Sequence, residues 1–264
     1  MQTQAVIDHI TGWLKNYATN AKVNGFVVGI SGGVDSAVVS TLCAQTGLDV
    51  LCLNMPIRQK ADQLDRAVGH IEWLQGRFAY VRSQTVDLTP VFEQFEHTVQ
   101  AADETASARD LALANTRSRL RMATLYYYGQ LNGLLVAGTG NKVEDFGVGF
   151  FTKYGDGGVD ISPIADLLKT QVYQLAEALD IRADIRQAVP TDGLWDTERT
   201  DEQQIGASYP ELEWAMAQHQ AGRQPEAFSG RQREVMAIFA RLNRAAQHKI
   251  RPIPVCTIPA SLLA

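Results

Sequence analysis

The chain is poor in cysteine and shows no spacing typical of a disulfide framework or a zinc site. Its three cysteines, Cys43, Cys52 and Cys256, lie far apart and form no CxxC pair. Cys43 and Cys52 lie in apolar stretches, where free thiols are commonly buried. The five histidines fit neither an HExxH pattern nor any other metal-ligand spacing. The sequence therefore argues against both kinds of site.

Long apolar runs and an excess of positive charge are absent as well. No apolar run approaches the roughly 20 residues that a helix needs to cross a bilayer. Residues 1–17 carry apolar side chains at helical spacing, which is typical of an amphipathic surface helix rather than a signal peptide. The formal net charge is -5, whereas sequence-independent nucleic-acid binding normally needs a basic face. We therefore expect a cytoplasmic protein with neither a membrane nor a nucleic acid as partner.

The chain alternates short apolar runs with helical patterns. Hydrophobic residues make up 45% and charged residues 20% of its 264 residues, as in ordinary globular domains. The predicted strands cover residues 25–30, 50–55, 78–86 and 134–137, and the intervening helices cover residues 36–45, 62–75 and 111–130. This order predicts an α/β fold with a doubly wound, mainly parallel sheet and helices on both faces. Beyond Pro190 we expect a helical C-terminal part, with residues 1–264 forming one domain.

The segment between the first strand and the first helix has the composition of a phosphate-binding loop. It reads Gly-Ile-Ser-Gly-Gly-Val-Asp-Ser-Ala over residues 29–37. The two glycines let backbone N–H groups approach an anion, the serines add hydroxyl donors, and the helix N-terminus adds its positive end. Asp35 suits such a loop if Mg²⁺ lies between its carboxylate and the phosphate. Neither GxxxxGK[ST] nor GxGxxG is present. The alternative is a tight turn that holds two glycines by chance, which the complete SGGVDSA string disfavours.

Two further segments indicate which family of phosphate-binding proteins the chain resembles. SGGVDS resembles the pyrophosphate loop of the ATP pyrophosphatase superfamily, whose members cleave ATP between the α- and β-phosphates and adenylate a substrate oxygen. The segment GTGNKVED at residues 138–145 resembles the GTxxxxE segment of ammonia-dependent NAD synthetases in that superfamily. FFTKYGDGGVD at residues 150–160 resembles their most distinctive signature. Weaker matches extend the resemblance from about residue 10 to residue 251, and it implies an adenine nucleotide alpha hydrolase-like fold.

The resemblance implies a set of residues that bind ATP and a metal. Asp35 and Glu144 would hold Mg²⁺. Lys169 would act in catalysis by stabilising charge as pyrophosphate leaves, and Arg58, at the end of the second strand, would contact the ribose or base. The implied ATP-binding residues are Ile30, Ser31, Gly32, Gly33, Val34, Asp35, Ser36, Arg58, Thr139, Lys169 and Thr191.

The resemblance also implies a second substrate, deamido-NAD, and ammonia. Asp156 would orient or deprotonate the ammonia. The residues implied to bind deamido-NAD are Arg119, Lys153, Asp160, His248 and Lys249. Without the resemblance, these residues have simpler explanations. The residues between 150 and 160 fit a solvated surface loop, and His248 and Lys249 fit a solvated helix end. Arg119 fits a solvated helix face that it shares with Arg117 and Arg121.

The implied reaction converts deamido-NAD to NAD through an adenylated carboxylate, giving AMP and pyrophosphate. Ammonia is the expected nitrogen donor because no part of the chain is left for an amidase domain, and a separate glutaminase partner is the alternative source. In addition, Cys43 and Cys52 are placed in a helix and a strand, where a nucleophile is poorly placed. A homodimer is also implied. One alternative is a tRNA-thiolating enzyme or a GMP synthetase core, although thiolation favours paired cysteines. The other is a regulatory module that binds ATP without turnover, which would not require Asp35, Glu144 and Lys169.

Overall fold

A four-stranded parallel sheet forms the centre of the molecule. The computed structural model describes residues 1–99, 105–191, 193–195 and 199–263. Within them the strands lie in the order β3-β2-β1-β4, and each neighbouring pair is parallel. Gly25 at the start of β1 pairs with Asp49 of β2 and with Leu134 of β4. The strands are β1 (Gly25–Gly29), β2 (Asp49–Asn54), β3 (Val81–Thr85) and β4 (Leu134–Val136).

Helices surround this sheet and make up most of the C-terminal part. They are α1 (Thr3–Ala21), α2 (Val34–Gln45), α3 (Ala61–Gln75), α4 (Thr89–Thr98), α5 (Ala106–Asn132), α6 (Lys169–Ala178), α7 (Ala183–Arg186), α8 (Asp201–Ile205), α9 (Tyr209–Gln220) and α10 (Gly230–Ile250). The described residues also include a π-helix (Lys142–Val148) and two 3₁₀ turns (Pro225–Ala227 and Ala260–Leu262). The predicted fold class is confirmed. The third strand is shorter than predicted because Phe78 N–H donates to the Leu74 carbonyl at 2.9 Å and so belongs to the end of α3.

Alternate residues of the strands pack on opposite faces of the sheet. Phe26 and Val28 of β1 join α1, α2, α3 and α6 in one buried cluster, whereas Val27 joins α4 and α5 on the other face. Each of these three side chains is fully buried. A parallel strand covered on both faces needs apolar residues at consecutive positions, which explains the uninterrupted apolar run that marks β1 in the sequence.

A third buried cluster joins the C-terminal helices to the π-helix. Val143 and Val148 of the π-helix pack with residues of α9 and α10, including Leu212 and Phe239. At Gly149, which ends the π-helix with φ +66°, an added Cβ would lie 2.0 Å from the Ala246 Cβ of α10. None of the helices within the described ranges is long and apolar enough to cross a membrane.

The sheet reverses its winding direction between β1 and β4. From β1 the chain continues to β2 and β3 on one side, and it then returns to place β4 on the other side of β1. In open parallel sheets, ligands bind beyond the carboxyl ends of the strands at such a switch point. The loop that follows β1 and the segment that follows β4 therefore meet where a ligand is expected.

Candidate active site

A cavity of about 270 Å³ lies at this switch point. Its walls are the loop after β1, the first turns of α3, the segment after β4, the glycine-rich loop of residues 150–158 and the start of α6. Apolar side chains, among them Met55, Met122 and Leu125, line it together with charged ones. A pocket that combines apolar walls with a few polar groups is typical of a site for a small molecule.

The loop after β1 is held in shape by its own serines. The Ser31 and Ser36 hydroxyls lie 3.1 Å apart, and Gly33 N–H donates to Ser31 Oγ at 3.2 Å. Gly32 has φ +80°, and an added Cβ there would lie 2.6 Å from the Gln63 carbonyl oxygen of α3. Only glycine combines this backbone conformation with so close an approach. The loop thus begins α2 with its backbone preformed, which favours anion binding at the helix N-terminus.

Lys169 joins two carboxylates that are far apart in the sequence. Its Nζ donates to Asp35 Oδ2 at 2.5 Å and to Glu144 Oε1 at 2.9 Å, and the lysine side chain is only 3% exposed. Burial disfavours the charged ammonium, but the attraction of the two carboxylates outweighs it and raises the pKa of Lys169. The first residue of α6 therefore carries a buried positive charge into the cavity.

Two neutral side chains orient these carboxylates. Asn141 is fully buried, donates from Nδ2 to Asp35 at 3.3 Å and accepts the Glu144 backbone N–H at 3.2 Å. The Tyr209 hydroxyl of α9 donates to Glu144 Oε1 at 2.5 Å and lies 3.1 Å from Asp201 Oδ2. Burial opposes ionisation of Glu144, but Lys169 and the Tyr209 hydrogen bond lower its pKa. Glu144 is therefore ionised and held in one orientation.

Two more carboxyl groups, from Asp145 and Asp156, line the cavity. Asp156 accepts the Ser118 hydroxyl at 2.7 Å and the Thr152 backbone N–H at 2.9 Å. Burial raises the pKa of Asp156 despite these hydrogen bonds. Burial and the neighbouring carboxylates raise the pKa of Asp145 well above its usual range. Asp145 packs on Gly140, where an added Cβ would lie 1.9 Å from its Oδ2. Burial on this wall of the cavity therefore favours the protonated form of both carboxyl groups.

The structure brings most of the predicted ATP, metal and ammonia residues to one cavity. Its lining includes Ile30, Ser31, Gly32, Gly33, Val34, Asp35, Ser36, Thr139, Glu144, Asp156, Lys169 and Thr191. Arg58 is not part of this lining. Its guanidinium lies 3.2 Å from Glu93 and 3.0 Å from Glu96 of α4.

The residues predicted to bind deamido-NAD form a separate group, outside this lining. Lys153 Nζ donates to the His248 carbonyl at 2.5 Å, and Arg119 lies 3.4 Å from the Lys153 carbonyl. Lys249 Nζ donates to the carbonyls of Gly149 and Phe151. These hydrogen bonds connect the end of α10 and one face of α5 to the glycine-rich loop and its flanking residues.

Asp160, the fifth residue of the predicted set, anchors the end of the sheet. Its Oδ2 accepts the Val136 backbone N–H at 2.8 Å, and its Oδ1 accepts the Tyr126 hydroxyl at 3.1 Å. Both carboxylate oxygens therefore bond within the protein, beside the cavity wall that Val159 forms.

Four of the polar residues that sequence reasoning missed have a clear place in the site. Arg66 and Arg121 line the cavity, and Asn141 and Tyr209 orient the carboxylates. The buried Nε of Arg66 has no hydrogen-bond partner among the described residues. Arg121 shares its helix with Arg117 and Arg119, and the sequence gives no local sign of which of the three turn away from solvent. Asn141 does carry a signal, because an asparagine before a helix commonly caps it.

The fold and this site together define an α/β protein of the kind that binds a phosphorylated ligand at the carboxyl ends of its strands. The family model described as NAD synthase matches residues 6–253. The NH(3)-dependent NAD(+) synthetase of Finegoldia magna is 35% identical over 215 residues, covering 81% of this chain and 84% of the relative. That of Syntrophomonas wolfei is 33% identical, covering 99% of each chain. The chain therefore belongs to the NAD synthase family, as its motifs predicted, and it is a ligase that forms a C–N bond.

Solved structures agree with this assignment. The NMN synthetase of Francisella tularensis superposes with a TM-score of 0.85 at 29% identity, covering 98% of this chain and 100% of that one. The NH3-dependent NAD synthetase of Campylobacter jejuni superposes with a TM-score of 0.77 over 97% of this chain. At 22% identity the second comparison concerns the fold alone.

Proposed function

We propose that the protein uses ATP and Mg²⁺ to amidate deamido-NAD with ammonia through an adenylated carboxylate, giving NAD, AMP and pyrophosphate. The observation that carries this proposal is the Lys169–Asp35–Glu144 cluster, which lies in one cavity with the loop of residues 30–36. A binding module would not need a buried lysine between two carboxylates. An enzyme that cleaves ATP needs cations where negative charge develops.

The residues present fit a magnesium ion that is bound together with phosphate. Mg²⁺ prefers oxygen ligands and usually takes one or two carboxylates, with phosphates and water supplying the rest. Asp35 and Glu144 provide two carboxylates. Among the residues that the structure describes, no group of three or more His, Cys, Asp or Glu side chains could hold a metal. The ion would neutralise phosphate charge during ATP cleavage.

Each polar wall of the cavity has a role in the proposed reaction. The loop of residues 31–36 holds the phosphates, and the pyridine carboxylate attacks the α-phosphorus while pyrophosphate leaves. Lys169 stabilises the charge that develops on the departing phosphate. Asp156, which Ser118 holds in place at 2.7 Å, orients ammonia and takes up its proton as the C–N bond forms. AMP then leaves from the acyl carbon.

A second candidate is amidation of the deamidated mononucleotide to NMN. It is supported by the high structural similarity to the Francisella tularensis NMN synthetase. A second observation also favours it, because Arg119, Lys153, His248 and Lys249 lie outside the cavity lining. Of these, both lysine ammonium groups donate to backbone carbonyls. A substrate without the adenylate half would not need those residues.

The test is a turnover assay with ATP, Mg²⁺ and ammonium, in which deamido-NAD or nicotinic acid mononucleotide carries an ¹⁸O-labelled carboxylate. Adenylation transfers one ¹⁸O into AMP, and the preferred substrate shows the higher kcat/KM. Glutamine in place of ammonium tests the nitrogen source. Asp156→Asn, a near-isosteric change, tests the proposed role of Asp156 as proton acceptor. Unlabelled AMP during product formation would refute the adenylated intermediate. Absence of turnover with both substrates would refute both candidates.

Homodimerisation and a cytoplasmic location complete the proposal. The dimer is supported by family membership and by the exposed apolar side chains of α5, where Tyr127 is 63% and Leu131 is 68% exposed. Sedimentation velocity of the purified protein tests it, and a monomer at assay concentration would contradict it. The cytoplasmic location is supported by the requirement for ATP.

A further inference from the structure

Lys169 Nζ lies between the two carboxylates that are suited to hold the metal. It is 2.5 Å from Asp35 and 2.9 Å from Glu144. We propose that this ammonium is an internal cation that takes the place of the metal while no nucleotide is bound, so that the metal enters only together with ATP. The inference rests on the proposed function, and it adds an order of binding that depends on a single side chain.

The carboxylates require a cation in the absence of ligand because they are shielded from water. The Asp35 side chain is 18% exposed and that of Glu144 is 15% exposed. Leaving two neighbouring carboxylates uncompensated in such a place is strongly unfavourable. Lys169 meets this need, and its ammonium also faces the Tyr209 ring, whose centroid lies 4.9 Å from Nζ. The lysine is therefore fully engaged within the protein.

A metal ion and this ammonium would compete for the same oxygens. Mg²⁺ binds oxygen at about 2.0–2.1 Å and demands nearly octahedral coordination. Lys169 already occupies one oxygen of each carboxylate, so a bare ion would have to displace a buried positive charge from both of its ion pairs. The two protein carboxylates alone also provide too few ligands for metal binding to offset the free-energy cost of displacing the ammonium.

ATP removes both obstacles at once. Its phosphates add oxygen ligands for the metal, and they give the Lys169 ammonium a new anion on the same side of the cavity as residues 31–36. Binding of metal and of nucleotide is then positively coupled, and thermodynamic linkage makes this coupling equal in both directions. Without the lysine charge, free metal can bind to the two carboxylates in the absence of nucleotide. Removing that charge must therefore weaken the coupling between metal binding and nucleotide binding.

The experiment compares metal binding with and without nucleotide. Mn²⁺ binding is followed by electron paramagnetic resonance, and Mg²⁺ binding by the shift of Tm, each with and without an ATP analogue that has a methylene group between the α- and β-phosphorus. We expect the wild-type protein to bind Mn²⁺ at least tenfold more tightly with the analogue than without it. Equal affinities would overturn the inference, and this comparison requires no variant.

Three variants separate the lysine from general charge effects. Lys169→Met should bind Mn²⁺ without nucleotide at least tenfold more tightly than wild type, and Mg²⁺ alone should raise its Tm. Adding Glu144→Gln to it should abolish both effects. Lys142→Met removes a partly exposed lysine that pairs with Asp166 at 2.8 Å, outside the cavity lining, and should behave as wild type. Tight metal binding by Lys142→Met, or none by Lys169→Met, would overturn the inference.

The two proposals fail in different ways. If the protein turns over but wild type binds Mn²⁺ equally well without nucleotide, only the role of Lys169 as an internal cation is wrong. If metal and nucleotide bind cooperatively but neither pyridine substrate is amidated, only the proposed reaction is wrong.

Discussion

Replacing Tyr209 by phenylalanine tests whether one hydroxyl holds Glu144 in place. The substitution keeps the ring in its buried cluster and beside the Lys169 ammonium. It removes the hydroxyl that lies 2.5 Å from Glu144 Oε1 and 3.1 Å from Asp201 Oδ2. A hydrogen bond to a charged group contributes about 1.5–3 kcal/mol. We therefore expect the free energy of unfolding to fall by about 2 kcal/mol, which for a chain of this size lowers Tm by about 4–8 °C.

The effect should depend on pH in a defined direction. The pKa of Glu144 is lowered in the folded protein, so its contribution to stability is complete above its unfolded pKa and is lost as pH falls through its folded pKa. Removing the Tyr209 donor raises the folded pKa of Glu144. The difference between wild type and Tyr209→Phe should therefore be largest near neutral pH and should shrink on acidification.

Urea denaturation at several pH values measures both quantities, and Tyr128→Phe is the matched control. The Tyr128 hydroxyl accepts a neutral hydrogen bond from Gln84 at 2.7 Å near the surface, and its loss should cost about 0.5–1 kcal/mol. The reasoning is refuted if both variants lose the same stability, or if the loss in Tyr209→Phe does not change with pH.

Three further predictions concern other residues of the site and its frame. The pKa of Asp145 is raised in the folded state, so the stability that this carboxyl contributes is present below its unfolded pKa and is lost as pH rises. Asp145→Asn should therefore raise the free energy of unfolding at pH 7 by about 1 kcal/mol or more. Urea titrations that show no gain in stability would contradict this prediction. Arg66→Gln should raise the inhibition constant of pyrophosphate about tenfold without changing that of AMP, since the buried Nε beside the loop has no partner among the described residues; an equal change for both inhibitors would argue against a phosphate contact. Gly149→Ala would place a Cβ 2.0 Å from Ala246 and should lower the unfolding free energy by about 2 kcal/mol or more, measured by urea denaturation, whereas a change below about 0.5 kcal/mol would show that α10 can shift freely.

Local patterns in the sequence were sufficient for the sheet and for the loop after β1. A strand covered on both faces must be apolar at consecutive positions, and the φ of +80° at Gly32 requires glycine. Each of these features can therefore be recognised within one short segment of the sequence. The π-helix has no comparable local pattern in the sequence, because its form depends on contacts with residues that are distant in the chain. Gly147 packs against Phe239 of α10, with 3.3 Å between an added Cβ and the ring.

The sequence by itself determined the fold class, the family and several of the segments that line the cavity, because each depends on short runs of consecutive positions. Only the tertiary structure decided which of these residues meet. Lys169 and Asp35 are 134 positions apart, and Tyr209 and Glu144 are 65 apart. The structure also separated Lys153 and Lys249, which donate to backbone carbonyls, from the cavity that holds Lys169. A lysine carries the same charge in every sequence. The packing of helices around the sheet decides whether that charge faces a carboxylate, a carbonyl or water.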